Sequence, residues 1–251
     1  MKLVVDLNAD LGEGAGHDDE LLALVTSANI ATGFHAGTPV SIFASIHSAM
    51  KHGVAVGAHP SYDDRKNFGR TDLAVPAPEL FAQLTYQIGA FCSLAIAAGI
   101  RTNHVKPHGA LYNAAVHDEK IAGAIAHAIL AVDSSLILFA PVNSALERAG
   151  ETANLQVTRE VFADRNYLSD GSLVPRSRPD ALLHDPDEAA MRVLRMLREN
   201  KVRSVDGVDV EVRAQTICLH GDKPGAVDFA RVLRSRLDEE GVEVSAPKIS
   251  R

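Results

Sequence analysis

Two hydrophobic periods succeed each other along this chain. Leu3-Val4-Val5 leads into Asp6-Leu7-Asn8-Ala9-Asp10-Leu11-Gly12-Glu13, where polar and apolar residues alternate. Side chains in a strand alternate between its faces, so Asp6, Asn8 and Asp10 share one face and Leu7, Ala9 and Leu11 the other. A strand with two carboxylates and an amide on one face needs water, a cation or a hydrogen-bonding ligand there. The stretch reads either as a solvated edge strand or as the floor of an active site, and the later strands favour the second.

Helical and strand periods then alternate to the end of the chain. Asp18 or Asp19 caps a helix to about residue 27. Residues 29–35 form a second strand, and Thr38-Pro39 supplies the N-cap and first turn of a helix to about Lys51. Residues 54–59 form the third strand, and a long loop covers 60–77. Leu80, Leu84, Ile88, Phe91 and Ala95 recur at helical spacing over 78–98. Thr102 to His108 is the fourth strand, and Asp118 caps a helix to about Ala131. Leu136 to Ala140 is a wholly apolar fifth strand, and a short helix runs from Val142 to Ala149. Leu155 to Ala163 is the sixth strand. A second long loop reaches about 184, and Asp185-Pro186 opens another helix. Residues 201–214 are ambiguous, with a short hairpin as one option. Gln215 to His220 is the seventh strand, and Pro224 begins the last helix. Strands separated by helices imply βαβ units and a parallel sheet. No linker interrupts 1–251, so the reading is a single α/β domain. Seven strands predict an open or distorted seven-stranded β/α barrel of TIM type, with a doubly wound sheet as the alternative.

Composition narrows the function classes. A net charge of −7 without a basic run argues against a nucleic-acid partner. Two cysteines, Cys92 and Cys218, form no CxxC and no disulfide framework. No signal pattern opens the chain and no apolar run is read as a membrane span, so a cytoplasmic protein without a membrane partner is expected.

The candidate chemistry collects where strands run into loops: Asp6, Asn8, Asp10, His35, His59, Lys106, His108, Glu160, Asp164, His220 and Asp222. In parallel α/β folds those strand ends make the active-site face. Asp10, His35 and His59 are candidate ligands of a divalent metal, and acid/base use of the same residues without a metal is an equal option. Gly12-Glu13-Gly14-Ala15-Gly16 matches no phosphate-binding pattern, and Glu13 would repel phosphate, so it reads as a turn over the strand end.

Eight stretches carry a resemblance: DLNADLGEG (6–14), SANIATGFHAG (27–37), GVAVGAHPSY (53–62), FGR (68–70), VKPHGALYN (105–113), EVFADRNY (160–167), DGSLVPR (170–176) and HGDKPGAV (220–227). In this order they resemble the LamB/YcsF family, known as the A component of 5-oxoprolinase. The resemblance implies a seven-stranded β/α barrel akin to glycoside hydrolases and carbohydrate deacetylases. It also implies ATP-dependent hydrolysis of 5-oxo-L-proline to L-glutamate in a complex with 5-oxoprolinase subunits B and C. The family's usual Cys and Asp are replaced here by Thr32 and Thr38. Thr38 still suits an N-cap, and Thr32 faces away from His35 by parity.

On that expectation Asp10, with His35, His59 and a metal, activates water. Lys106 and His108 steady oxyanion or phosphate charge, and Glu160 or a neutral histidine protonates the leaving nitrogen. Arg70 or Arg165 holds the substrate carboxylate. Asp6, Asn8, Asp164 and His220 complete the substrate-binding set. The chain has no Walker-type loop, which assigns ATP partly or wholly to the partner subunits. A stand-alone metal-dependent carbohydrate deacetylase or amidase, and a non-catalytic regulatory subunit, are the competing readings.

Overall fold

The computed structural model describes residues 3–219 and 225–250. In chain order the elements are β1 (Val4–Leu11), α1 (Asp18–Leu22), β2 (Ser27–Ala31), α2 (Pro39–Lys51), β3 (Ala55–His59) and α3 (Ala77–Ala97). Then come β4 (His104–Val105), α4 (Gly109–Ala114), α5 (Glu119–Val132), β5 (Ile137–Pro141), α6 (Ala145–Thr152) and β6 (Val157–Phe162). The chain continues with α7 (Pro186–Glu199), β7 (Lys201–Arg203), β8 (Asp209–Glu211), β9 (Thr216–Leu219), α8 (Ala226–Glu239) and β10 (Glu243–Val244).

Six parallel pairings run β1-β2-β3-β4-β5-β6-β9, and β9 pairs back onto β1, with Asn8 opposite Cys218. That last pairing closes a seven-stranded parallel barrel and removes the doubly wound alternative. β10 adds outside the closure, pairing with Val4 and Val5. The ambiguous 201–214 segment holds the antiparallel β7–β8 hairpin.

Strand parity divides the molecule into two interiors. Leu7, Ala9, Ala28, Ile30, Val56, Ala58, Leu138 and Ala140 face outward and are buried against the helices. Asp6, Asn8, Ser27, Asn29, His59, His104, Glu160 and Thr216 are also buried, and they occupy the barrel's inside. Barrel interiors of this class are ordinarily filled by branched apolar residues. Here the apolar core is the layer between sheet and helices, and the centre is a hydrogen-bonded polar column.

Several expectations change: the first helix ends at Leu22 and not near 27, the second strand is Ser27–Ala31 and not 29–35, and a further helix covers Gly109–Ala114. Lys106 to His108 continue past the two-residue β4 because Pro107 cannot extend a ladder. Their amides still reach β3's end, Lys106 to Ala58 O at 3.0 Å and His108 to Pro60 O at 2.8 Å. The stretch 77–97 is also long and apolar enough, by composition, to cross a membrane. Its stripe of Leu80, Leu84, Ile88, Phe91 and Ala95 is buried, which makes it a covering helix of the barrel.

The N-cap expected at Thr38 is formed. Its hydroxyl accepts from the Ser41 amide at 3.2 Å, and the Ser41 hydroxyl accepts from the Thr38 amide at 2.8 Å. Thr32 bonds outward, donating to Gln87 Oε1 on α3 at 2.8 Å. Thr38→Ala should lower the unfolding free energy by about 1 kcal/mol in urea titration, while Thr38→Asp keeps it. An unchanged Ala variant would show that the cap carries no stability.

Candidate active site at the barrel mouth

A cavity of about 250 Å³ opens at the C-terminal ends of the strands. One wall carries Glu13, His59 and His108, and Asp10 and Lys106 form the floor. Tyr112, Phe162 and Leu173 make an apolar wall, and Arg70, Arg165 and Arg176 stand around it.

The wall is built by loops leaving β1, β2, β3 and β4. Gly12 has φ +73° and Gly14 φ +84°, conformations that glycine adopts without Cβ strain. The turn they make folds Glu13 back over the barrel. Glu13 Oε1 then lies 3.1 Å from His35 Nε2, 3.3 Å from His108 Nδ1 and 3.6 Å from His59 Nε2. His108 Nδ1 is 3.0 Å from His59 Nε2. The opposite ring nitrogens fix the tautomers. His59 Nδ1 donates to Lys106 O at 2.7 Å, and His108 Nε2 donates to Phe68 O at 2.9 Å. These carbonyls turn His59 Nε2 and His108 Nδ1 toward the Glu13 carboxylate, where each nitrogen can donate to it or, once deprotonated, ligate a cation.

Burial would raise Glu13, but the contacts to His108 and His35 outweigh it and lower its pKa to about 2. Burial lowers His35 to about 4 against the pull of Glu13. A carboxylate and neutral imidazoles are the donor set a divalent cation requires. Bonds of about 2.1 Å in a tetrahedral site imply ligand separations of roughly 3.4 Å. The Glu13–histidine and His59–His108 separations of 3.0–3.6 Å fit that, all four ligand atoms lie within 4.8 Å of one another, and the carbonyl anchors of His59 and His108 are the usual outer support of such sites. Glu13, His35, His59 and His108 can hold a metal ion.

Of the expected ligands, His35 and His59 fall in this cluster, which also brings in Glu13 and His108. Asp10 Oδ1 is taken by Asn29 Nδ2 at 2.9 Å and Lys106 Nζ at 3.0 Å, while Oδ2 sits 3.4 Å from His59 Nε2. Asp10 is thus beside the cluster, facing the cavity.

Lys106 organises the floor. Its ammonium contacts Asn8 Oδ1 at 3.1 Å and Asp10 Oδ1, Glu160 Oε1 and Cys218 Sγ each at 3.0 Å. Burial alone would lower its pKa, yet the surrounding carboxylates of Asp10 and Glu160 raise it well above the usual value. Burial pushes the Cys218 thiol far up despite Lys106 beside it. Cys218 therefore stays a thiol, and the compensating charge comes from Asp10 and Glu160.

Several expected substrate contacts lie elsewhere. Glu160 is 1% exposed and does not line the cavity. It accepts from the Tyr112 hydroxyl and from Asn8 Nδ2 at 2.9 Å, and it lies behind Lys106. Asn8 is sealed in the same network. Asp6 is deeper still, accepting from Thr26 at 2.6 Å, Ser27 at 2.8 Å and Thr216 at 2.5 Å. Asp164 lines a separate pocket with Leu183 and His184, because β6 ends at Phe162 and parity is lost beyond it. Arg70 and Arg165 do reach the cavity. His220 and Asp222 lie outside the described residues. Glu13, Tyr112 and Arg176 join the site without having stood out in the sequence. The positive-φ glycines flanking Glu13 were the available signal for it.

Residues 5–250 match the LamB/YcsF family. The chain belongs to that family. It is 47% identical to a lactam utilization protein from Thermus thermophilus, whose crystal structure superposes with a TM-score of 0.93 over 98% of this chain and 100% of that one. Two remoter structures share the fold alone. A putative cellobiose-phosphate cleavage protein from Enterococcus faecalis has TM-score 0.58 at 12% identity, covering 98% of this chain and 97% of that one. A family 4 carbohydrate esterase from Streptomyces lividans has TM-score 0.50 at 10% identity, covering 98% and 93%.

Asp6 offers a pH test of the polar column. Burial, opposed by the hydroxyls of Thr216, Thr26 and Ser27, raises its pKa from 3.8 to about 6. Between those values the folded protein binds the proton and the unfolded chain does not. The stability this contributes is complete below pH 3.8 and lost as pH rises through about 6. Urea unfolding of wild type against Asp6→Asn should show the wild-type advantage shrinking from pH 4 to 7, by on the order of 2–3 kcal/mol. A pH-independent difference would contradict the assignment.

Proposed function

We propose that this chain is the lactam-opening subunit of an ATP-dependent 5-oxoprolinase, converting 5-oxo-L-proline to L-glutamate. The observation that carries the reading is the convergence of Glu13, His35, His59 and His108 beside Asp10 and Lys106 in a small, partly apolar cavity. Membership of the LamB/YcsF family and 47% identity to a lactam utilization protein support a hydrolase of this kind.

The cavity suits a five-membered lactam acid. Its ring methylenes pack on Tyr112, Phe162 and Leu173, and its carboxylate meets Arg165, with Arg70 and Arg176 adding positive charge. The lactam carbonyl then lies between the His/Glu wall and the Lys106 ammonium. A divalent metal held by Glu13, His35, His59 and His108 would acidify a water and polarise that carbonyl. Asp10, through Oδ2, takes the proton of the attacking water and returns it to the ring nitrogen as the C–N bond breaks. Lys106 adds fixed positive charge behind the reacting carbon as negative charge develops there. Subunits B and C would bind ATP and transfer its γ-phosphoryl group to the amide oxygen with release of ADP; water adds to the activated carbon, the C–N bond breaks to leave a γ-glutamyl phosphate, and a second water releases phosphate and L-glutamate. The complex is assigned to the cytoplasm.

The His/Glu cluster also favours a second reading, a metal-dependent amidase that works without ATP or partners. One assay separates the two: glutamate release from 5-oxoproline by this chain, by subunits B and C, and by all three with ATP. Release should require all three and fall at least about 100-fold with Glu13→Gln. Release by this chain alone, without ATP, would select the second reading. None from the full set would overturn the proposal.

A further inference from the structure

His104 belongs to neither the cavity wall nor its floor, yet its ring is fixed from every side. It is fully buried on β4 and stacks on Phe139, with ring centroids 4.1 Å apart and planes 5° from parallel. Its β3 neighbour is Gly57, where an added Cβ would lie 2.2 Å from the imidazole. Only glycine leaves room for the ring on that side.

The ring's polar contact leads to Asp10. His104 Nε2 is 2.8 Å from Asn29 Oδ1. Asn29 Nδ2 donates to Asn8 Oδ1 at 2.7 Å and to Asp10 Oδ1 at 2.9 Å. Both hydrogens of the Asn29 amide are thereby used, and its oxygen can only accept. His104 must then donate from Nε2. The other ring nitrogen meets Asn103 Oδ1 at 3.2 Å, the longer contact, so the Nε2 side places the proton. A reversed Asn29 amide would put its oxygen against Asp10 Oδ1 and Asn8 Oδ1, two acceptors already facing Lys106.

We propose that His104 is a positioning residue for the hydrolytic site, holding the Asn29 amide in the sense that ties down Asp10 Oδ1 and presents Oδ2 to His59 and the cavity. Lys106 shares the same two acceptors, Asn8 Oδ1 and Asp10 Oδ1, so the relay also sets where the ammonium sits. Burial, with Lys106 nearby, keeps the ring neutral by lowering its pKa to about 3, in keeping with a single donated proton.

The catalytic part of this inference rests on the lactam-opening reading, and the test has one arm that does not. Histidine side-chain ¹⁵N NMR of the intact wild-type chain should place the His104 proton on Nε2 at neutral pH. A proton on Nδ1 overturns the inference whatever the reaction. In the second arm His104→Gln and His104→Leu are assayed with the partner subunits. Both lose the stack on Phe139, but only Gln can offer an amide N–H near the Nε2 position. Leu should lower kcat about 10- to 100-fold with KM little changed, and Gln should recover most of it. A folded Leu variant with wild-type kcat, or two variants equally impaired, would overturn the inference. An inactive wild type would count against the lactam reading, and the tautomer would then decide the inference alone.

Discussion

A buried ammonium is the constraint on which the barrel mouth depends. Lys106 enters the barrel just beyond β4 and is only 3% exposed. An ion of that kind is tolerated only when opposite charge and hydrogen bonds replace its water. Asp10 and Glu160 supply the charge, and Asn8 supplies a neutral acceptor. Each partner is itself satisfied: Glu160 by Tyr112 and Asn8, Asp10 by Asn29, Asn8 by Asn29. The polar column from Asp6 to Lys106 follows from this need. An apolar filling of the usual barrel kind would leave the ammonium without compensation.

The same arrangement sorts carboxylates into different tasks. Glu160, behind Lys106, balances charge. Asp10 has one oxygen in the network and one toward His59. Glu13, carried back by a glycine turn, sits against three histidines and is held ionised. Environment, not residue type, sets one behind the ammonium, one between the ammonium and the cavity, and one among the histidines. The backbone carbonyls of Lys106 and Phe68 complete this by deciding which nitrogens of His59 and His108 face inward.

The period-two pattern of β1 was legible because a strand with one polar face has few explanations, and it pointed to the floor of an active site, while the count of seven strands alternating with helices pointed to the barrel. The clustering of His35, His59, Lys106 and His108 was legible for the same reason. What parity could not reveal was depth. Asp6, Asn8 and Asp10 share a face, but a strand climbs about 3.3 Å per residue, so only Asp10 reaches the mouth. Glu160 and Asp164 are separated by the end of β6, where alternation stops. Glu13 reads in sequence only as an obstacle to phosphate, because its partners come from three other strands and sequence order does not bring them together.

The claim that Lys106 is held by paired carboxylates is tested most directly by a double-mutant cycle of Lys106→Met and Glu160→Gln in unfolding free energy. Removing Lys106 strands two carboxylates, and removing the Glu160 charge leaves the ammonium with one. Each single variant should therefore be strongly destabilised, by roughly 3–5 kcal/mol for Lys106→Met. The double variant should lose less than the sum, with a coupling of about 2 kcal/mol or more. Losses that simply add would contradict the account.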